Sequence, residues 1–341
     1  MEIRITESVV IGEHHPVFII AEVGNNHQGQ FELAAKSIES AKVAGADAVS
    51  FQYAPIGTYC VKSMHDDSRV SFLGGCEFSL EQIAQLRKLA LKNKLAFSVN
   101  VEDIDTLRKM IGIGIDFIKL CSADLTNIPY ISFAASMRKP VFFSTGGAFL
   151  GEIETAVNAM RLAGLGDYVI YHTNSGYPTP IEDANILQMD LLHRIFGGVK
   201  GYCDHTLDII PPVVAGARGA KVIEKHITTQ RALKGDDWMV SLEPDEFKRM
   251  VGYIRAAEKS LGTEHKKPLP IEENTRIFKR KSIVSKRVIV EGTIIQEGML
   301  TYKVPGSGIS PMELTRVVGK RAIMNIGEDI LIEPHMIETV K

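Results

Sequence analysis

Cysteine is scarce in this chain and scattered where it occurs: Cys60, Cys76, Cys121 and Cys203, four in 341 residues, with no Cys-x-x-Cys among them. Such spacing excludes a disulfide framework and a zinc ribbon, and makes a reducing cytoplasm the default compartment. No apolar run approaches the roughly 20 residues that span a bilayer, so a membrane is not an expected partner. The opening "MEIRITESVVIGEHHPVF" has charges where a signal peptide needs an apolar stretch, which again leads us to expect a cytoplasmic protein. An excess of charge of one sign is missing as well. The net charge is −2 with no basic stripe, so no nucleic acid is expected. There are no internal repeats or low-complexity segments. No Gly-x-Gly-x-x-Gly follows the first strand candidate, which weighs against a dinucleotide fold.

What is there reads as a soluble globular protein with a substantial core, 45% hydrophobic and 23% charged. Short β-rich runs alternate with amphipathic stretches. The strand candidates are "FIIAEVG" (18–24), "AVSFQYA" (48–54), "LAFSVNV" (95–101), "FIKLCSA" (117–123), "PVFFSTG" (140–146), "YVIYHTN" (168–174), "GVKGYCD" (198–204) and "VIEKHIT" (222–228). Most are near-continuously apolar at their start, as parallel strands covered on both faces are. Helical patterns such as "FELAAKSIESAKVAGA" and "SLEQIAQLRKLALKNK" lie between them, the latter with a capping box from Ser79 to Gln82. Eight alternations over roughly 250 residues fit a TIM (β/α)8 barrel.

The barrel is expected over 1–262, with a β extension at 1–16. The polar, proline-containing stretch 263–279 reads as a linker. A small β-rich domain is expected over 280–341, from "KSIVSKRVIV", "TIIQEG", "RAIMNI" and "ILIEPHMI", with "KVPGSGISP" as its densest glycine and proline loop.

Polar residues gather at the C-terminal ends of the barrel strands, where barrel active sites lie. They include Glu22, Asn25, Gln52, Ser98, Asn100, Ser122, Asp124, Ser144, His172, Cys203, His205, Lys225 and His226. Two of them, His205 and His226, end adjacent strands and can meet across one barrel edge. Neutral imidazoles suit a divalent transition metal, and two protein ligands leave positions open for water and substrate. Asp204 and Glu224 flank the pair, but neighbouring residues on a strand face opposite sides, so they need not ligate.

"FIIAEVGNNHQG", "AGADAVSFQ", "FSTGGA", "HTNSGYPTP", "GYCDHT", "VIEKHIT" and "GDDWMVSLEPDEF", with the tail "RKSIV", "GTIIQEG", "VPGSGISP" and "VVGKRA", resemble the sialic acid synthase family in order from about residue 16 to 330. That resemblance implies a TIM barrel joined to an antifreeze-like (SAF) domain, in a homodimer that exchanges the SAF domains. It also implies condensation of phosphoenolpyruvate with an amino-sugar aldehyde to a nine-carbon 2-keto acid. Carried over by motif, His205 and His226 would bind Mn²⁺ or another divalent metal, a Lewis acid for the aldehyde. Glu22 and Asp237 would be catalytic. Lys119, Ser122, Ser144, Cys203 and Lys281 would bind the donor, and Asn25, Asp124, Tyr177 and Lys303 the acceptor. Taken as residues alone, Lys119 also fits a structural ion pair, Tyr177 packing on Pro178, and Asp237 a turn cap.

The chain departs from the family pattern at Ser50, where a donor-binding lysine is expected, at Ser98-Val99-Asn100 in place of Ser-Thr-Pro, at Cys203 in place of serine, and at Val304 in place of arginine. Each lost charge-assisted hydrogen bond to a trianionic donor is worth roughly 1.5–3 kcal/mol. Lys62, Lys225 or Lys281 would have to compensate, or the donor differs. Two alternatives follow: an aldolase- or lyase-like enzyme in which Lys119 forms a Schiff base, or a non-catalytic sugar-binding homologue.

Overall fold

A computed structural model describes residues 1–338, which form two compact units divided between Gly262 and Thr263. In the first unit β1 (Phe18–Gly24), β2 (Ala48–Gln52), β3 (Ala96–Asn100), β4 (Ile118–Leu120), β5 (Val141–Ser144), β6 (Val169–Thr173), β7 (Val199–Asp204) and β8 (Val222–His226) form one sheet. Its hydrogen-bonded order is β3-β2-β1-β8-β7-β6-β5-β4, with every pair parallel. The seam between β3 and β4 is closed just ahead of β4: the Asp116 amide donates to the Phe97 carbonyl (2.8 Å), and Ser98 Oγ donates to the Phe117 carbonyl (2.8 Å). This is the expected (β/α)8 barrel.

Helices connect successive strands. The helix Leu80–Lys92 buries Ile83, Leu86 and Ala90 along one stripe, and the Ser79–Gln82 capping box closes its first turn from both sides. The strands are shorter than the apolar runs suggest. β4 stops at Leu120 because Ser122–Asp124 turn into a 3-10 helix, with the Asp124 amide bonded back to the Cys121 carbonyl. The segment after β2 folds as short helical pieces, Ile56–Tyr59, Lys62–Met64 and Ser68–Gly75.

Alternation along the strands separates two apolar layers. Ile19, Ala21 and Val23 of β1 point outward to the helices, whereas Phe18 and Ile20 point into the barrel. At the N-terminal end of the barrel Phe117 and Phe142 stack (4.5 Å), with Phe18 edge-on to both. The expected N-terminal β extension is an antiparallel hairpin, Glu2–Arg4 with Val10–Gly12, whose Ile3 and Ile11, together with Ile5, join this inner cluster. The hairpin therefore plugs the barrel from below. On the outer layer Asp204 and Lys225, cross-strand partners, form a wholly buried ion pair (2.5 Å). Tyr202 and Thr206 hydroxyls satisfy the remaining carboxylate sites.

The second unit packs Ile283, Ile289, Ile295, Val317, Ala322 and Ile332 into a core of its own. Its one ladder among the described residues pairs β9 (Ser282–Ser285) with β10 (Leu300–Lys303). Around "TIIQEG", "RAIMNI" and "ILIEPHMI" the contacts are single bridges, such as Ile294↔Arg321 and Ile289↔Ile326, rather than strands, because glycine turns interrupt them. The second half of the expected linker is helical, Glu273–Lys279, entered through Pro270 at a position where the missing N–H costs nothing.

Because Ile11 is fully buried in the plug, Ile11→Ala is predicted to lower the stability of the first unit by about 2–5 kcal/mol in urea denaturation. A change below about 0.5 kcal/mol would show that the plug carries no packing energy.

Candidate active site

The inward-facing positions change character along the barrel. β1 runs Phe18, Ile20, Glu22; β7 runs Val199, Gly201, Cys203, then His205; β8 runs Val222, Glu224, His226. Period-two alternation and parallel register place the polar residues in shared layers at the C-terminal end. Glu22 is paired with both His226 and Ser50, and Glu224 with Cys203.

The deeper polar layer centres on Lys119. Its ammonium contacts the Glu224 carboxylate directly and lies 3.4 Å from Glu22 Oε2. Burial favours the neutral amine, but Glu224 and Glu22 outweigh it and hold Lys119 well above its ordinary value, so it is charged. Glu224 also accepts from the Tyr171 hydroxyl (3.2 Å) and from Cys203 Sγ (3.3 Å). Gly201 makes room for that tyrosine: a Cβ there would lie 2.6 Å from its ring. Burial, then Glu224, push the Cys203 thiol far up, so it acts as a weak neutral donor.

Above this layer sit the histidines. His205 Nδ1 donates to the Asn174 carbonyl (2.6 Å), which leaves its Nε2 as the ring acceptor, 3.6 Å from Cys203 Sγ. The two imidazole rings are 5.3 Å apart, and Tyr177 stacks on His205 at 4.0 Å. His226 Nδ1 is buried with no hydrogen-bond partner, 3.5 Å from Asp237 Oδ2. Burial lowers His205 to about 4, and burial with the neighbouring His205 holds His226 well below its ordinary value, so both are neutral. Asp237 is pushed up to about 7 by burial, with Asp236 and Glu22 adding to it. Gly24 is the point of convergence. It has φ +54°, and a Cβ on it would lie 3.2 Å from Asp237 Oδ2, 3.8 Å from Glu22 Oε1 and 3.9 Å from His226. A side chain there would be strained and would occupy the space that these three groups face.

Among the remaining sequence candidates, Asn25 Nδ2 donates to Gln52 Oε1 (3.1 Å), and Gln52 Nε2 donates to Glu102 Oε1 (3.3 Å). Ser122 Oγ accepts from the Gly146 amide (3.0 Å), and Ser144 is buried at the end of β5. Asp124 is buried beyond β4, with Oδ2 unpartnered. Lys281 and Lys303 belong to the second unit, where Lys303 pairs with Asp329. One compensating cation is corrected: Lys225 points outward into its pair with Asp204 and does not face the barrel interior. Lys62 is exposed on its 3-10 turn. Sequence reading gives Tyr171 no place in the site, treats Glu224 only as a flank of the histidines, and has Asn100 only as a rim residue and a departure from the family pattern. Stepping back two residues from His226 and His205 along their strands would have found Glu224 beside Cys203. Arg69 was also missed, and it reaches Asp236 across the rim (3.3 Å).

Burial, with Glu102 nearby, raises Asp124 from 3.8 to about 7. The folded protein thus binds a proton that the unfolded chain has already lost, and this group's contribution falls as pH rises from roughly 4 to 7. Asp124→Asn is predicted to be more stable than the parent at pH 8, by on the order of 1–2 kcal/mol, and to converge with it near pH 4. Denaturation midpoints across that range check it; a pH-independent difference would contradict it.

Comparison with known proteins agrees with this geometry. The NeuB family model matches residues 37–266, and the SAF domain model matches residues 280–338. The chain is 36% identical to N,N'-diacetyllegionaminic acid synthase of Legionella pneumophila, over 92% of this chain and 93% of that one. It is 30% identical to N-acetylneuraminate-9-phosphate synthase of Homo sapiens, over 99% and 97%. The crystal structure of N-acetylneuraminic acid (sialic acid) synthetase from Leptospira borgpetersenii in complex with citrate superposes with a TM-score of 0.74 at 32% identity, covering 81% of this chain and 95% of that one. With a matching barrel, a matching SAF domain and full-length relatives, this chain belongs to the NeuB family.

Proposed function

We propose that the protein condenses phosphoenolpyruvate with an amino-sugar aldehyde to a 2-keto-3-deoxy sugar acid of the sialic acid type. The observation that carries this reading is the convergence of Glu22, His226 and Asp237 on Gly24, beside His205 and the charged Lys119, in a NeuB-family barrel. In the reaction C3 of the donor bonds to the aldehyde carbon and water adds at C2. The C2–O bond to phosphorus breaks with release of inorganic phosphate, and the aldehyde oxygen ends as a protonated hydroxyl.

The histidine pair fits a divalent metal, Mn²⁺ in our reading. His226 Nδ1 is a buried nitrogen without a partner, and His205 Nδ1 is committed to Asn174, so Nε2, 3.6 Å from the weak donor Cys203 Sγ, is the nitrogen that would face a metal. Among the described residues no group of three or more metal-ligating side chains is assembled, so the two histidines would be the protein's ligands and water or substrate would supply the rest. When bound there, the metal supplies Lewis acidity toward the acceptor aldehyde.

The chain's own groups divide the remaining work. Lys119, with Ser122 and Ser144, meets the anionic donor; Cys203 shapes the same wall. Lys281 adds charge from the SAF domain. Glu22 and Asp237 hold and move protons at the reacting carbons. Asn25, Asp124 and Tyr177 meet the acceptor, and Lys303 is assigned to it by motif. The active form in this reading is a cytoplasmic homodimer with exchanged SAF domains. The aldolase alternative needs a neutral Lys119 amine, and two carboxylates keep that amine protonated.

Purified protein given phosphoenolpyruvate, Mn²⁺ and a panel of amino-sugar aldehydes is expected to release inorganic phosphate with at least one acceptor. Release with none would overturn the reading. Treatment with a chelator should abolish turnover, Mn²⁺ should restore it, and His226→Ala should bind Mn²⁺ at least tenfold more weakly by calorimetry. Glu22→Gln should lower kcat by about 10²–10⁴-fold with little change in thermal midpoint.

A further inference from the structure

We propose that Asn100 is a positioning residue for Glu22, and that Ser50 braces Asn100 from its other end. This inference rests on the reading above that Glu22 touches the reacting atoms. Asn100 Nδ2 donates to Glu22 Oε2 (3.0 Å), and Ser50 Oγ donates to Asn100 Oδ1 (3.3 Å). All three side chains are more than nine-tenths buried, at 2%, 0% and 4% exposure for Glu22, Ser50 and Asn100. They come from three adjacent strands: Ser50 is the ladder partner of Glu22, and Asn100 ends the next strand.

An amide presents a donor at one end and an acceptor at the other. Turned round, Asn100 would set its oxygen against the Glu22 carboxylate, and acceptor would face acceptor. The carboxylate can only accept and so takes Nδ2, while the Ser50 hydroxyl, able to donate or accept, turns to donate to Oδ1 and holds the other end of the amide. Ser98, the other hydroxyl close by, is engaged with the Phe117 carbonyl. On its second oxygen Glu22 accepts the Gly24 amide (2.8 Å). One donor on each oxygen, from different strands, fixes the plane of the carboxylate. Lys119 is 3.4 Å away and is shared with Glu224, so it contributes charge more than direction.

The two departures from the family pattern at Ser50 and Asn100 are therefore one coupled device. Where a long cation would reach toward the donor, a short hydroxyl stays inside the wall and braces the amide that meets the Glu22 carboxylate.

The test uses the full-length chain with Asn100→Ala, Asn100→Asp, Ser50→Ala and the double variant Ser50→Ala/Asn100→Ala. In the phosphate-release assay Asn100→Ala is expected to lower kcat about 100-fold with both KM values within about threefold, the scale of a misplaced reacting group. Asn100→Asp, alike in shape but with an oxygen toward Glu22, should lose more. Ser50→Ala should lose about tenfold, and the double variant no more than Asn100→Ala alone. Multiplying losses in the double variant, or raised KM at unchanged kcat, would overturn the proposal. A second cycle, Glu22→Gln with Asn100→Ala read by urea midpoints, is independent of turnover. Non-additive midpoints support the contact and additive ones overturn it. If the parent protein releases no phosphate, the proposed reaction fails while the urea cycle still decides whether Asn100 holds Glu22.

Discussion

A single buried ammonium organises the interior of this barrel. Lys119 stands on β4 between carboxylates from the far side of the barrel, Glu224 on β8 and Glu22 on β1. Burying three charges costs several kcal/mol each unless they meet one another with good geometry. Here every surrounding polar group is arranged to make that arrangement tolerable: Tyr171 and Cys203 on Glu224, Asn100 and the Gly24 amide on Glu22. The wall opposite the histidines is thereby cross-braced through its centre, and the reacting groups sit on a floor with little freedom to move.

A second buried pair works on the outer face of the same strands. Asp204 and Lys225 are the chain neighbours of His205 and His226, so the strand alternation that points the histidines inward points this pair outward. Locking β7 to β8 from behind fixes the spacing of the imidazoles in front. The same four-residue motifs thus carry both the site and its backing, which is why their residues are so closely spaced.

The barrel was legible because its signal is periodic and repeated. Apolar strand runs, a capping box and polar residues at strand ends each mark a local feature, and eight copies in order admit few architectures. The metal-ligand candidates were legible for the same reason, as strand-end residues on neighbouring strands. Glu224 and Tyr171 were harder to see, because their role depends on which side chain from across the barrel meets them, and sequence spacing carries no such information. Asn100 reads as the loss of a familiar residue, because its contacts to Glu22 and Ser50 come from strands whose side chains only the fold brings together. The limits of β4 and of the second unit's strands were overestimated because apolar character continues past the last ladder bond, where turns take over the backbone groups. Lys225 illustrates the remaining gap: a lysine at the rim reads as a ligand group until its facing direction is known.

The hairpin that closes the barrel from below has a consequence for how the molecule forms. Ile3, Ile5 and Ile11 pack against residues from strands spread over the whole first unit, and the Val17 amide and carbonyl are held by Glu258 and Arg255. Val17 finds its partner Glu258 only when some 240 further residues are available. Contacts of such long sequence separation must overcome loop-closure entropy before they contribute anything, so closure of this barrel is expected to be slow and late. Until it happens, the charged centre that will face substrate stays open to water at both ends, and the floor of the active site is the last surface to become dry.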